Sequence, residues 1–143
     1  MLDFKTKFGR FAKKHLKHEY FIWLTTVDST GTPQPRPVWF IWDHDTILIF
    51  SQAKAHKVKH ILKNSNVALN FNTADQDGEK RLVIITGTAQ VDQKARPANK
   101  IPAYIRKYNS GIANLSSNAD PEQFGAEYSV AIRITPTNLR GWE

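Results

Sequence analysis

Cysteine is absent from the 143 residues, which excludes a disulfide scaffold, thiol catalysis, cysteine-ligated zinc and iron–sulfur clusters. Long apolar runs are missing too. The longest, Val38-Trp39-Phe40-Ile41-Trp42, falls far short of the ~20 residues a membrane-spanning helix needs. The N-terminal segment mixes charge with aromatics and has no apolar h-region, so it does not read as a signal peptide; the default expectation is a cytoplasmic protein. No Gly-x-Gly occurs, no glycine precedes a lysine, and there is no Gly-x-Ser-x-Gly. The dinucleotide fingerprint, the P-loop and the nucleophile elbow are therefore excluded. The closest acid pairs, Asp43 with Asp45 and Asp75 with Asp77, flank predicted hairpin turns, where aspartate has an ordinary structural role. His56 and His60 stand four apart, but the lysines between them repel a divalent cation, and His15 and His18 sit among lysines as well. No metal site is expected. If the chain is an enzyme, a bound cofactor supplies the difficult chemistry.

What remains is an ordinary globular composition, 41% hydrophobic and 23% charged. One domain spanning residues 1–143 buries roughly 70% of its unfolded surface, enough for a real core. The formal charge is +7, and it is concentrated in residues 1–20 and 54–63; the rest of the chain is near neutral. A nucleic-acid binder more often spreads its basic residues over a face. The short 54–63 cluster suits a compact anion such as one phosphate group, with a solvated helix face as the plain alternative. Binding to nucleic acid or to an anionic membrane ranks behind both, and no membrane partner is expected.

Phe4, Phe8, Phe11 and Leu16 recur at helical spacing, predicting an amphipathic N-terminal helix within residues 1–19 that caps a barrel end. Strands are predicted over 20–27, 34–42, 46–51, 67–71, 82–91 and 128–134, with a short tail after the last. Gly31 supplies a positive φ in the first turn. Pro35 and Pro37 cannot donate to a ladder, which puts the start of the second strand at an edge or beside a ligand. Gly87, in mid-strand, marks a bulge or a close backbone approach. Residues 54–64 read as a short helix with Val58, Ile61 and Leu62 on its apolar face. Residues 97–108 read as another helix, and 109–125 as a long loop of the kind used for lids. Six strands with so few helices fit a mainly β architecture: an antiparallel barrel with peripheral helices, not a doubly wound parallel sheet.

One constellation carries chemistry. Ser51 ends a strand, and Lys57 follows near a helix start, where helix amides and lysine charge together cradle a phosphate. Trp39 or Phe40 can wall a planar heteroaromatic ring, but strand alternation allows only one of them to face it. Taken singly, Trp39, Phe40 and Trp42 also fit a core, and Ser51 also fits a helix cap.

These segments resemble the pyridoxamine 5′-phosphate oxidase-like split β-barrels, which bind FMN or a deazaflavin. The likeness runs from Tyr20 to Trp142 through a D-x-x-G-x-P turn, a P-V-W-F strand, F-S followed by K-V-x-x-I, N-V-A-L (Asn66 to Leu69), G-x-A (Gly87 to Ala89) and a closing R-G-W (Arg140 to Trp142). The ending and the P-V-W-F strand lean toward the probable deazaflavin-dependent subgroup. The resemblance implies a six-stranded, Greek-key-like split barrel of the FMN-binding type, a homodimer with cofactor at the interface, and hydride transfer to or from a small substrate. It implies cofactor contacts from Arg36, Val38, Trp39, Phe50, Ser51, Lys57 and Trp142, with Lys54 as a further phosphate contact. FMN is the first cofactor expected. The alternative is the deazaflavin coenzyme F-420, its acidic tail on Lys54, Lys59 and Lys63; a flavin carrier without turnover is the other reading. His56 and Leu82 replace residues that true oxidases use, and their Arg-x-His has no match here, so pyridoxamine phosphate oxidation itself is not expected. The substrate pocket is assigned to residues 97–125.

Overall fold

The structure, a computed structural model, describes residues 2–71, 82–115 and 119–142, apart from the Trp142 side chain. The Asp75–Asp77 turn lies outside those residues. The order is α1 (Lys7–His18), β1 (Phe21–Val27), β2 (Pro33–Trp39), β3 (Ile41–Asp43), β4 (Thr46–Ser51), α2 (His56–Lys63), β5 (Asn66–Asn70) and β6 (Leu82–Val91). A 3-10 turn (Ala98–Lys100), α3 (Pro102–Ala113), α4 (Pro121–Glu127) and β7 (Val130–Trp142) complete it. The strands form one antiparallel, curled sheet in the order β2-β1-β5-β6-β7-β4-β3. The mainly β expectation holds, with seven strands among the described residues instead of six.

The additional strand arises at Phe40. Its N–H donates to the Tyr108 hydroxyl at 2.8 Å, and its carbonyl lies 2.7 Å from the same oxygen. A side chain of α3 thus replaces the ladder at one residue, and the expected single strand over 34–42 becomes two. Before the break the chain pairs with β1; after it, with β4. The two edges of the sheet are therefore one continuous run of chain, which closes the barrel.

Pro33, Pro35 and Pro37 alternate along β2, an edge strand, so their missing donors cost no ladder bond. Gly31 has φ +84°, as its turn requires. At Gly87 both expectations hold together: the β6–β7 register shifts between Thr86 and Gly87, and a Cβ there would strike the Thr135 carbonyl. Pro136 stands opposite that glycine, where a bulge tolerates it. The predicted tail is not a tail, because β7 continues to Trp142 along the full length of β6.

The barrel core is built from inward positions that include Ile22, Leu24, Phe40, Ile49, Leu69, Ile85 and Ile132. Helix α1 starts at Lys7, where the Thr6 side chain accepts from Gly9 N–H at 2.9 Å. It seals one barrel end with buried Ala12 and Leu16, with Phe4, Phe8 and Phe11 packed alongside. A second core lies outside the barrel, where Leu48, Phe50 and Ala131 meet Tyr104, Tyr108, Ile112 and Phe124. Strand β4 is consequently buried on both faces, which is why Ile47 to Phe50 is continuously apolar.

The segment predicted as a loop is mostly helix. Helix α3 extends to Ala113, because Tyr104, Tyr108 and Ile112 form one buried stripe at four-residue spacing. Gly111 interrupts the propensity for a reason: a Cβ there would collide with the Tyr20 hydroxyl and the Trp39 ring. Helix α4 begins at an Asp120 cap, whose carboxylate accepts from Gln123 N–H at 2.8 Å, followed by Pro121. In α2, Val58 and Ile61 are buried as expected, whereas Leu62 is 70% exposed.

Arg133 on β7 ties three segments together. Its guanidinium donates to Asp92 at 2.8 Å, to Asp43 at 2.9 Å and to Thr46 at 2.8 Å. Burial raises the Asp43 pKa, but bonds from His44 and Arg133 outweigh it and hold the group below its ordinary value; the Arg133 bond likewise holds Asp92 down. The stabilisation from depressed carboxylates is present at neutral pH and is lost as pH falls through their folded pKa values. Arg133→Met is expected to cost about 2 kcal/mol at pH 7 in urea unfolding, with the difference from wild type shrinking below about pH 4. An equal loss at both pH values would refute the ion-pair account.

Candidate cofactor site

Strand β2, the start of α2 and the inner face of α3 border two cavities that meet at Pro37 and Lys57. The first, about 590 Å³, is polar: Thr26, Asp28, Gln34 and Arg36 come from β1, its turn and β2, and Ala55, His56, Lys57 and His60 from α2. The second, about 220 Å³, is an aromatic slot of Val38, Trp39, Phe50, Tyr104, Phe124 and Tyr128, with Leu115 at its rim.

In the polar cavity the cations are unbalanced. Burial, and then the Arg36 charge, push the Lys57 pKa below its ordinary value. The acid present, Asp28, is already occupied, accepting from Thr30, Thr32 and Gln34 at 2.7–3.0 Å; these bonds hold its carboxyl far below the usual range. The N-cap residue of α2, Ala55, offers no side-chain hydrogen bond; Val58 N–H turns to the Ala55 carbonyl at 3.2 Å, which leaves the His56 and Lys57 amides, among the described residues, to a ligand. A phosphate fits this donor set: it would neutralise Arg36 and Lys57 together and accept from the helix start. His60 is fixed by a 2.8 Å contact between Nδ1 and the Thr26 hydroxyl, with His56 stacked 6.4 Å away.

The slot is walled by stacked rings. Trp39 lies on Tyr108 at 4.7 Å and 10°, and on Phe124 at 5.7 Å; Phe124 in turn stacks on Tyr128 at 4.4 Å. Tyr104 is wholly buried, its hydroxyl has no hydrogen-bond partner among the described residues, and burial pushes its pKa far up. An unpartnered hydroxyl in an apolar slot suits a planar ligand that carries a polar atom.

The structure thus brings Arg36 and Lys57 to one cavity and Val38, Trp39, Phe50 and Lys57 to the other. Phe40 points into the barrel core instead, fully buried, which leaves Trp39 as the ring on the slot. Trp42 packs edge-on against Phe4 at 5.6 Å. Ser51 lines neither cavity: it is buried, and its hydroxyl donates to the Gln52 carbonyl at 3.2 Å, so it does not cap α2 either. Lys54 is exposed and lines neither cavity. The Trp142 side chain is outside the described residues; its backbone pairs with Leu82. Thr26 and Gln34 went unread in the sequence because only the folded register brings them to Lys57, whereas His60, on the same helix as Lys57, reads there only as half of a metal pair with His56. Tyr104 and Phe124 become legible once their helices are recognised.

Residues 10–143 match the family described as pyridoxamine 5′-phosphate oxidase. None of the curated proteins compared with the chain matches it. Among solved structures, an F420 reductase is similar at 23% identity and TM-score 0.66, covering 90% of this chain and 94% of that one. A putative pyridoxamine 5′-phosphate oxidase from Listeria innocua is similar at 17% identity and TM-score 0.63, covering 96% and 97%. An FAD-binding protein from Mesorhizobium loti is similar at 15% identity and TM-score 0.62, covering 90% and 88%. At such identities these structures speak for the fold alone, whereas the family match spans nearly the whole sequence. The chain belongs to the pyridoxamine 5′-phosphate oxidase family, on a split β-barrel.

Proposed function

We propose that this protein is a flavin-binding oxidoreductase that holds FMN across the two joined cavities. The observation that carries this is the shared border at Pro37 and Lys57, which sets a cationic cavity end to end with an aromatic slot. Arg36, Lys57 and the α2 amides would take the phosphate, with exposed Lys54 a third cation outside the cavity and Ser51 supporting the strand end. Val38, Trp39 and Phe50 would flank the ring. Bound flavin supplies hydride transfer, and the chain contributes orientation, water exclusion and a positive field. In this reading a second copy of the chain would cover the outer face of β1, where Phe21 is 41% exposed and Trp23 partly exposed, and Trp142 would close over the ring. The F420 reductase neighbour favours a second reading, in which the deazaflavin coenzyme occupies the same cavities and its acidic tail reaches Lys59 and Lys63.

Titration of purified protein with FMN, followed by visible absorption and fluorescence, is the test. Saturable quenching with a sharpened two-banded spectrum is the expected result. Uptake of the deazaflavin alone would select the second reading. Binding of neither would overturn both.

A further inference from the structure

We propose a second anion site, for a dianionic phosphate group either free or as a monoester, in the cavity between the C-terminal end of α1 and the outer side of α3. This cavity of about 420 Å³ is lined by Lys17 and His18 of α1, Arg106 and Lys107 of α3, and Ile41 and Trp42 of β3. It shares no residue with the two cavities at Lys57. Helix α3 separates them, presenting Tyr104 to the slot and Arg106 and Lys107 to this cavity.

Four basic side chains converge here without a carboxylate among the lining residues. Among the described residues, Lys17, His18 and Arg106 form no ion pair. Glu19, the acid whose charge acts on Lys107, lies outside the lining and contacts His15 at 2.8 Å. Lys107 is the built element. Its ammonium is half-buried, donates to the Phe40 carbonyl at 2.9 Å and sits 3.9 Å from the centre of the Phe40 ring. That carbonyl also accepts from Tyr108, which shares its one proton with the Tyr20 carbonyl, so the lysine bond is only part of what holds it. Burial lowers the Lys107 pKa to about 8, and Glu19 offsets this only in part. A cation kept where it is partly desolvated, beside the cations of Lys17 and Arg106 and the His18 imidazole, works against the free fold and toward an incoming anion. A dianion matches the cluster in charge and is compact enough for several donors to reach it at once. The Trp42 face beside them accommodates an organic substituent on the phosphate.

The test follows the Trp42 indole N–H resonance by NMR as inorganic phosphate is added at constant ionic strength. A saturable shift with a dissociation constant near or below about 1 mM is expected. Arg106→Ala, a change at an exposed position, and Lys107→Met should each weaken it by about tenfold, while Lys57→Ala leaves it in place; the outcome is thus independent of the flavin reading. Phenyl phosphate binding tighter than phosphate identifies a monoester as the ligand, and equal binding identifies free phosphate. A shift that chloride reproduces, that does not saturate, or that survives both α3 variants would overturn the proposal.

Discussion

Replacing Lys57 by alanine should weaken FMN binding by one to two orders of magnitude, while the ligand-free protein stays as stable as wild type or gains stability. The two halves of that result come from one fact: Lys57 is partly desolvated and faces Arg36 without a carboxylate of its own. In the free protein both burial and Arg36 work against its charge. Its folded pKa is therefore below the unfolded one, the unfolded chain binds more protons between those values, and the lysine costs stability at neutral pH. Once a phosphate sits between the two cations, the same charge becomes a charge-assisted hydrogen bond worth about 1.5–3 kcal/mol, or roughly tenfold to a hundredfold in affinity. Parallel FMN titrations and urea melts of wild type and Lys57→Ala measure both halves. An affinity loss accompanied by an equal loss of ligand-free stability would make Lys57 a structural residue and sink the assignment.

The chemistry-bearing strip was legible in the sequence because it is local. Pro35 and Pro37 announce an edge strand, Gly31 a turn and Gly87 a bulge, and each does so through backbone geometry that a neighbouring residue cannot override. Lys57 was legible for the same reason, since charge near a helix start is a short-range property. The aromatic wall was not. Tyr104, Tyr108 and Phe124 stand on helices that composition disguises: Asn109, Ser110 and Gly111 read as a loop, yet the glycine is there so that Trp39 and Tyr20 can press against α3. The break at Phe40 was illegible as well, because the group that interrupts the strand is 68 residues away in sequence. Ser51 shows the reverse failure. A hydroxyl at a strand end next to a lysine-bearing helix looks like a ligand contact, and burial on both faces of β4 instead points it at the Gln52 carbonyl.

Two tyrosines one turn apart on α3 should respond oppositely to loss of a hydroxyl. Tyr108→Phe is expected to destabilise the protein by about 3 kcal/mol, roughly 10 °C in melting temperature for a chain of this size. The Tyr108 oxygen accepts the Phe40 N–H at 2.8 Å and shares its one proton between the Tyr20 carbonyl at 2.6 Å and the Phe40 carbonyl at 2.7 Å. Lys107 still serves the Phe40 carbonyl in the variant, but the buried Phe40 N–H and the Tyr20 carbonyl lose their partner, and the desolvation cost of each is then uncompensated. Tyr104→Phe removes a hydroxyl that is equally buried and, among the described residues, without a partner, so the ligand-free protein should be unchanged or more stable by up to about 1 kcal/mol. Thermal and urea unfolding of the two variants side by side isolates the hydrogen bonds from ring packing, because both changes leave the aromatic rings in place. Because Trp39 stacks on the Tyr108 ring, the Tyr108 variant should also loosen the slot and reduce FMN affinity. Wild-type stability in both variants would mean that ring packing, and not the bonds to Phe40 and Tyr20, holds the strand break open.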